Sequence, residues 1–138
     1  MQKNQISVFL ENRVGQLAEL TGLLKDAGVD LMAINIAETT DYGIVRIIAD
    51  DEKKAVDTLT ENGYICSTAP VVMALIENRP GGLDSLLRLI AEARISIEYM
   101  YSIFGTVNGK ALMALRVDEP EKLTVLLTEN GLNAADTL

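Results

Sequence analysis

The 138-residue sequence is acidic and rich in hydrophobic side chains, which make up 49% of it, against 23% charged residues. This composition is typical of a packed globular protein rather than a disordered one. The net charge of −8 would repel phosphate backbones, so nucleic acid is not an expected partner. One cysteine and no histidine exclude an intramolecular disulfide, zinc sites built from cysteine and histidine, and histidine-based catalytic triads.

The first half predicts six elements in the order β-α-β-β-α-β. Ile6, Val8 and Leu10 alternate with other residues as in a strand, and Leu17, Leu20, Leu24 and Ala27 repeat with helical spacing. The predicted elements are a strand around 6–10, a helix ended by Gly28, strands at 29–37 and 44–49 joined by a turn at 40–43, a helix from the acidic residues 50–52 to Asn62-Gly63, and a strand from Tyr64.

The second half predicts the same order. Its predicted elements are a strand at 71–76, a helix over 83–93, a hairpin of strands at 95–104 and 110–117 across Asn108-Gly109, and a helix carrying Leu123, Leu126 and Leu127 before Asn130-Gly131. The hydrophobic stretch at 71–76 is far shorter than the roughly twenty residues of a membrane span. The N-terminus leads directly into a strand pattern rather than a signal peptide. We therefore expect a soluble, cytoplasmic protein with no membrane partner.

Two segments of the sequence occur twice. Residues 11–17 (ENRVGQL) return as 77–83 (ENRPGGL), displaced by 66 residues (77 − 11), and 59–63 (LTENG) returns unchanged as 127–131, displaced by 68 (127 − 59). This predicts a duplicated domain with repeats at 1–69 and 71–138, joined without a flexible linker. The predicted fold class is α+β: two ferredoxin-like βαββαβ repeats packed side by side into a larger antiparallel sheet with the helices on one face.

A βαββαβ unit whose first loop reads ENRVGQL or ENRPGGL, and whose first helix is followed by Gly28-Val29-Asp30-Leu31, resembles the ACT domain. Tandem, stand-alone ACT proteins match best, and the resemblance covers essentially the whole chain. It implies a regulatory module without catalytic residues or cofactor, which binds a small ligand such as an amino acid. It also implies that units pair side by side, and we expect a homodimer.

The loop before the first helix of each repeat is the expected ligand site. Gly15 and Gly81 permit positive φ, and the helix that follows presents unpaired N–H groups that can hold a carboxylate. The resemblance adds the start of the second strand, at 30–32 and 96–98, from a neighbouring unit. The candidate ligand-binding residues are Asn12, Arg13, Val14, Gly15, Gln16 and Leu17 in the first loop, Asn78, Arg79, Pro80, Gly81, Gly82 and Leu83 in the second, and Asp30 and Met32 in the second strand.

Several interpretations stay open at this point. Asn12 can satisfy the turn alone, the two loop arginines can be solvated charges, and Leu17 and Leu83 are expected in the core, touching a ligand at most at its edge. The loops differ at Val14 and Gln16, which correspond to Pro80 and Gly82, so their sites can be unequal. A protein-interaction scaffold without a small ligand is the main alternative. An acylphosphatase-like hydrolase is a second one, because that class places an arginine in its first loop.

Overall fold

The strands and helices follow in the predicted order. The computed structural model describes residues 3–11, 13–38 and 42–134. Its strands are β1 (Lys3–Glu11), β2 (Leu31–Glu38), β3 (Tyr42–Ala49), β4 (Ile65–Glu77), β5 (Ile97–Val107) and β6 (Lys110–Val117), and its helices are α1 (Gln16–Asp26), α2 (Glu52–Glu61), α3 (Gly82–Glu92) and α4 (Pro120–Glu129). β4 ends the first repeat and begins the second. At the position of the last strand, Asn133 forms a single antiparallel bridge with Ala74. The prediction of two ferredoxin-like βαββαβ repeats is confirmed.

The chain divides by its contacts into two units, and the first comprises Asn4–Ala69. In this unit β3 pairs antiparallel with both β1 and β2. Apolar residues that alternate along β1 and β3 form one core with residues from both helices, so α1 and α2 cover the same face of the sheet. The fully buried members of this core are Ile6, Val8, Leu20, Leu24, Val45, Ile47, Ala55 and Leu59.

The second unit comprises the described residues from Pro70 onward, together with Lys3. Here β6 pairs antiparallel with β4 and β5. The core again combines one face of the strands with one face of each helix, through Val72, Ala74, Leu86, Ile90, Leu115, Val117, Leu123 and Leu127. Leu86 and Leu20 occupy the same position of their repeats, displaced by 66 residues (86 − 20).

β4 differs from the sequence-based prediction. Two short strands were expected, one from Tyr64 and one at 71–76, with a junction at Pro70 between them. The structure instead contains one strand of 13 residues, with the boundary of the units at Ala69 and Pro70 inside it. Proline lacks an N–H donor and therefore interrupts the hydrogen bonds between strands, although its carbonyl oxygen can still accept. The Pro70 carbonyl oxygen accepts a hydrogen bond from Arg116 Nη1 at 3.0 Å.

Both repeats fasten the start of their second strand in the same way. The Asp30 backbone N–H donates to Asp50 Oδ1 at 2.9 Å, and the Asp50 N–H donates to the Asp30 carbonyl at 3.0 Å. In the second repeat Ser96 and Asp118 form the equivalent pair of bonds, at 2.9 and 3.1 Å. The backbone of Asp30 and Ser96 therefore has a structural role in each repeat.

The hairpin of the second repeat turns at Asn108 and Gly109, whose φ angles are 51° and 78°. Positive φ at both central residues is the requirement of a type I′ turn, as the Asn-Gly pair predicts. The turn predicted at 40–43 in the first repeat falls largely outside the described residues. The four helices contain ten or eleven residues each, and in the described part of the chain none is long and apolar enough to cross a bilayer.

The second helices of the two repeats begin differently, which gives a first prediction. The Asp51 side chain caps α2 by accepting from the Lys54 N–H at 3.1 Å, whereas Glu119, at the same repeat position, makes no side-chain cap to a described residue of α4. We expect Asp51→Ala to cost about 1 kcal/mol in urea denaturation, because a helix N–H loses its acceptor. Glu119→Ala is the matched control and should change stability by less than about 0.5 kcal/mol. Equal losses would contradict the assignment of the cap.

Candidate functional site

The glycines that precede α1 and α3 have nearly the same backbone conformation. Gly15 has φ 84° and ψ −6°, and Gly81 has φ 86° and ψ −6°, so each glycine adopts the left-handed conformation that other residues rarely take. α1 and α3 start at the next residue, and no described side chain caps either N-terminus. The first N–H of each helix donates to a loop carbonyl, Gln16 to Arg13 at 3.4 Å and Gly82 to Arg79 at 3.0 Å, so the following N–H groups of the first turn are the ones that can meet an anion.

A cavity of about 270 Å³ opens beside the first of these loops. Its walls come from the end of β1, the start of α1, the end of α2 and the start of β4, all within the first unit. Phe9 and Ile65 supply its apolar surface, and Glu11, Arg13, Gln16 and Glu19 supply charged and polar groups. Its volume lies just below the roughly 300–1,000 Å³ of pockets for drug-sized ligands, so it has room only for a smaller molecule.

Gln16 is the most unusual residue of this cavity. Its side chain is 9% exposed, and its Oε1 atom is buried without a hydrogen-bond partner among the described residues. A buried polar atom without a partner typically costs about 1 to 3 kcal/mol. Such atoms are rare in folded proteins, and an ordered water, an ion or a bound ligand can satisfy them.

A chain of polar contacts joins Tyr64, Glu19 and Arg13 on the walls of the same cavity as Gln16. The Tyr64 hydroxyl donates to Glu19 Oε1 at 2.9 Å, and Arg13 Nη2 lies 3.7 Å from Glu19 Oε2. Burial raises the pKa of Tyr64, and the Glu19 carboxylate raises it further, while a side-chain hydrogen bond with Gln16 acts in the opposite direction.

The ion pairs of Arg13 are weak. The guanidinium lies 3.8 Å from Glu11 and 3.7 Å from Glu19, and all three side chains are at least half exposed. Exposed pairs at such distances contribute between zero and about 1 kcal/mol. Arg13 can therefore turn toward a ligand carboxylate at little cost.

The remaining predicted residues of the first repeat are spread over the unit. Asn12 lies outside the described residues. Val14 is fully exposed, and Leu17 packs against the core as expected. Asp30 borders a different, shallow depression of about 370 Å³ with Lys25 and Gly28 at the C-terminal end of α1.

Asp30 and Met32 are thus separated from the Gln16 loop by the length of α1. With 11 residues this helix is about 16 Å long. Met32 is half-buried in β2. Within the first unit neither residue joins the cavity, and their contribution to the site of a neighbouring unit stays a prediction.

The second loop lacks the corresponding cavity residues. Gly82, Ser85 and Leu132 occupy the positions of Gln16, Glu19 and Tyr64. A Cβ atom added to Gly82 would overlap the Glu77 carbonyl oxygen and lie 2.9 Å from the carbonyl carbon. A side chain like that of Gln16 has no room there. Asn78, Arg79, Pro80 and Gly81 are exposed.

One expectation about this loop is wrong: Leu83 is 41% exposed rather than part of the core. The core of α3 is formed instead by Leu86 and Ile90, which lie three and seven residues after it on one face of the helix.

The described residues contain no group of three or more histidine, cysteine, aspartate or glutamate side chains that could hold a metal ion. Cys66 is half-buried in β4, and burial raises the pKa of its thiol. A raised pKa lowers the fraction of reactive thiolate at neutral pH.

Comparison with known proteins agrees with this fold and these loops. The family model of the ACT domain pair matches residues 1–137. The chain is a member of this family. No curated protein matches the sequence. The ACT resemblance seen in the loops, the helices and the duplication is thereby confirmed.

Solved structures extend the comparison of this ACT domain pair. A protein of Bacteroides thetaiotaomicron shares 34% sequence identity over 96% of this chain and 91% of its own, with a TM-score of 0.88. The ligand-free regulatory subunit of aspartate kinase from Thermus thermophilus is 13% identical over 91% of each chain, with a TM-score of 0.69. The corresponding subunit from Thermus flavus is 12% identical over 94% of this chain and 92% of its own, with a TM-score of 0.61. The two kinase subunits show similarity of fold.

Sequence reasoning identified only Arg13 and Gln16 among the residues that line the cavity, and it missed the polar residues Glu19, Asn62 and Tyr64. Glu19 and Tyr64 are 45 positions apart in the sequence, so no local pattern connects them. One signal was present, because Tyr64 follows Asn62-Gly63 where the second repeat has Leu132 after Asn130-Gly131. A tyrosine in place of a leucine at a buried position introduces a hydroxyl that requires a partner.

Proposed function

We propose that this ACT domain pair is a non-catalytic regulatory module that binds a small amino acid in the cavity of its first unit. The observation that carries the proposal is the buried Gln16 Oε1 without a described partner, because a ligand N–H group would satisfy it. Arg13 and the uncapped N-terminus of α1 supply the donors that a ligand carboxylate requires.

The proposal assigns the two loops different roles. The first loop binds the ligand, and the second is a structural counterpart, because Gly82 removes the amide and the Glu77 carbonyl fills its place. Ligand binding to the folded state stabilises it by mass action, and this stabilisation is the signal that such a module can transmit to a partner. The expectations of a homodimer and of a cytoplasmic location stay predictions.

A thermal-shift screen against the twenty amino acids tests this function. A ligand present at 100 times its dissociation constant should stabilise the protein by about 2.7 kcal/mol. For an amino acid that binds, calorimetry should show at least tenfold weaker affinity for Arg13→Ala, because a charged hydrogen bond to the carboxylate is lost.

Arg79→Ala, the same change in the second repeat, is the matched control and should leave the affinity unchanged. Weaker binding in Arg79→Ala alone would place the ligand at the second loop and overturn the proposal. The absence of binding by all twenty amino acids would favour the interaction scaffold instead.

A further inference from the structure

The cavity of the first unit lies between two helix ends of opposite polarity. Gln16 is the first residue of α1, where the helix dipole is positive, and Asn62-Gly63 directly follows α2, where the dipole is negative. The last turn of α2 contains no basic residue that would neutralise its end. Two helices in one unit thus place a positive and a negative end on the walls of one small cavity.

Charged side chains also line the cavity, and one of them, Glu19, lies in the first turn of α1. Arg13 stands in the loop before α1, and Glu11 and Glu19 give the cavity two carboxylates for one guanidinium. The Gln16 oxygen adds a buried acceptor. An ammonium group can donate to this oxygen and to Glu19 together, whereas a hydroxyl group has one proton and no charge.

We infer that the cavity selects its ligand by the α-ammonium group, which binds between Gln16 Oε1 and Glu19 while the carboxylate faces Arg13 and the start of α1. The inference rests on the proposed function and deepens it, because it specifies a zwitterion and excludes deaminated acids. Glu19 and Tyr64 thereby become specificity residues, although neither belongs to the duplicated loop sequence.

Ligand binding in this orientation replaces the weak Arg13–Glu19 ion pair with two stronger interactions, one of each side chain with the ligand. Without ligand, Glu19 is neutralised by Arg13 across 3.7 Å. With ligand, Arg13 turns to the carboxylate and Glu19 receives the ammonium, while the Tyr64 hydroxyl continues to hold the other carboxylate oxygen. A zwitterionic ligand leaves the net charge of the site unchanged, which limits the cost of bringing charges into a partly buried cavity.

The test compares each amino acid that binds with the 2-hydroxy acid that carries the same side chain, by calorimetry on the full chain. We expect the hydroxy acid to bind at least tenfold more weakly, because a charged hydrogen bond is lost. Equal affinity of the two compounds, with Arg13→Ala still weakening both, would overturn the inference and leave the proposed function intact. If neither class of compound binds, the proposed function itself fails, and the inference fails with it.

The Glu19→Gln variant provides a second test of the inference. Its side chain keeps an oxygen for the Tyr64 hydroxyl but loses the charge, and Glu19 is half exposed, so the fold should tolerate the change. The variant should bind the amino acid at least tenfold more weakly and the hydroxy acid with unchanged affinity. Ser85→Ala, at the same position of the second repeat, should change neither affinity. An unchanged preference for the amino acid in Glu19→Gln would overturn the role of this carboxylate.

Discussion

Gly82→Ala is expected to lower the free energy of unfolding by about 2 to 3 kcal/mol, because the new methyl group would overlap the Glu77 carbonyl and force β4 and α3 apart. The same substitution at Gly22, in the middle of α1, is the matched control. An added Cβ there meets no described atom within 4 Å, so alanine should stabilise the helix by about 0.5 to 1 kcal/mol.

Urea denaturation of Gly82→Ala and Gly22→Ala should therefore show changes of opposite sign in the free energy of unfolding. Gly82→Gln should be at least as destabilised as Gly82→Ala and should gain no second binding site, because the space occupied by Gln16 in the first unit is filled in the second. A stable Gly82→Ala protein would mean that the Glu77 backbone can move aside, and the second loop would then have to be regarded as a possible site.

Leu20→Ala is expected to have the largest effect on stability, a loss of about 3 to 4 kcal/mol, because this side chain is 0% exposed in the core between α1 and the sheet of the first unit. Val125→Ala is the control on an exposed helix position, where 57% of the residue is accessible. It should change stability by less than about 0.5 kcal/mol.

Chemical denaturation gives both values, and amide exchange of the α1 residues shows where stability is lost in Leu20→Ala. Protection of α1 equal to that in the parent protein would contradict the role of Leu20 in fastening this helix. Because α1 also carries Gln16 and Glu19, loosening it should weaken amino-acid binding as well.

Local sequence patterns were sufficient for most of the fold. The alternation of Ile6, Val8 and Leu10 and the helical spacing of Leu17, Leu20 and Leu24 report directly which face of each element is buried. The merging of two predicted strands into β4 was missed, because proline signals a break locally although its carbonyl can continue to accept hydrogen bonds. Leu83 was misassigned because the buried row of α3 is Gly82, Leu86 and Ile90, spaced by four residues, and Leu83 lies one position away from this row in the first turn.

The candidate site was predictable in part. The duplicated loop pointed to Arg13, Gly15 and Gln16, which all stand at the start of α1. Neither the burial of Gln16 nor the contact of Glu19 with Tyr64 could be read from the sequence, because both depend on how α1, α2 and β4 meet. The inequality of the loops was visible as Gln16 against Gly82. The physical reason for this inequality is that the Glu77 carbonyl lies where a side chain at position 82 would be, and only the structure shows this.

The proposed difference between the two loops limits how steeply the protein could respond to a ligand. If each chain binds one ligand, in its first unit, saturation of one chain follows a simple hyperbola with a Hill coefficient of one. A sharper response requires two or more chains whose sites are coupled, so it would depend on protein concentration. Because the second repeat has Gly82 in place of Gln16, any steeper response to the ligand would have to come from the assembly of chains and not from the duplication within one chain.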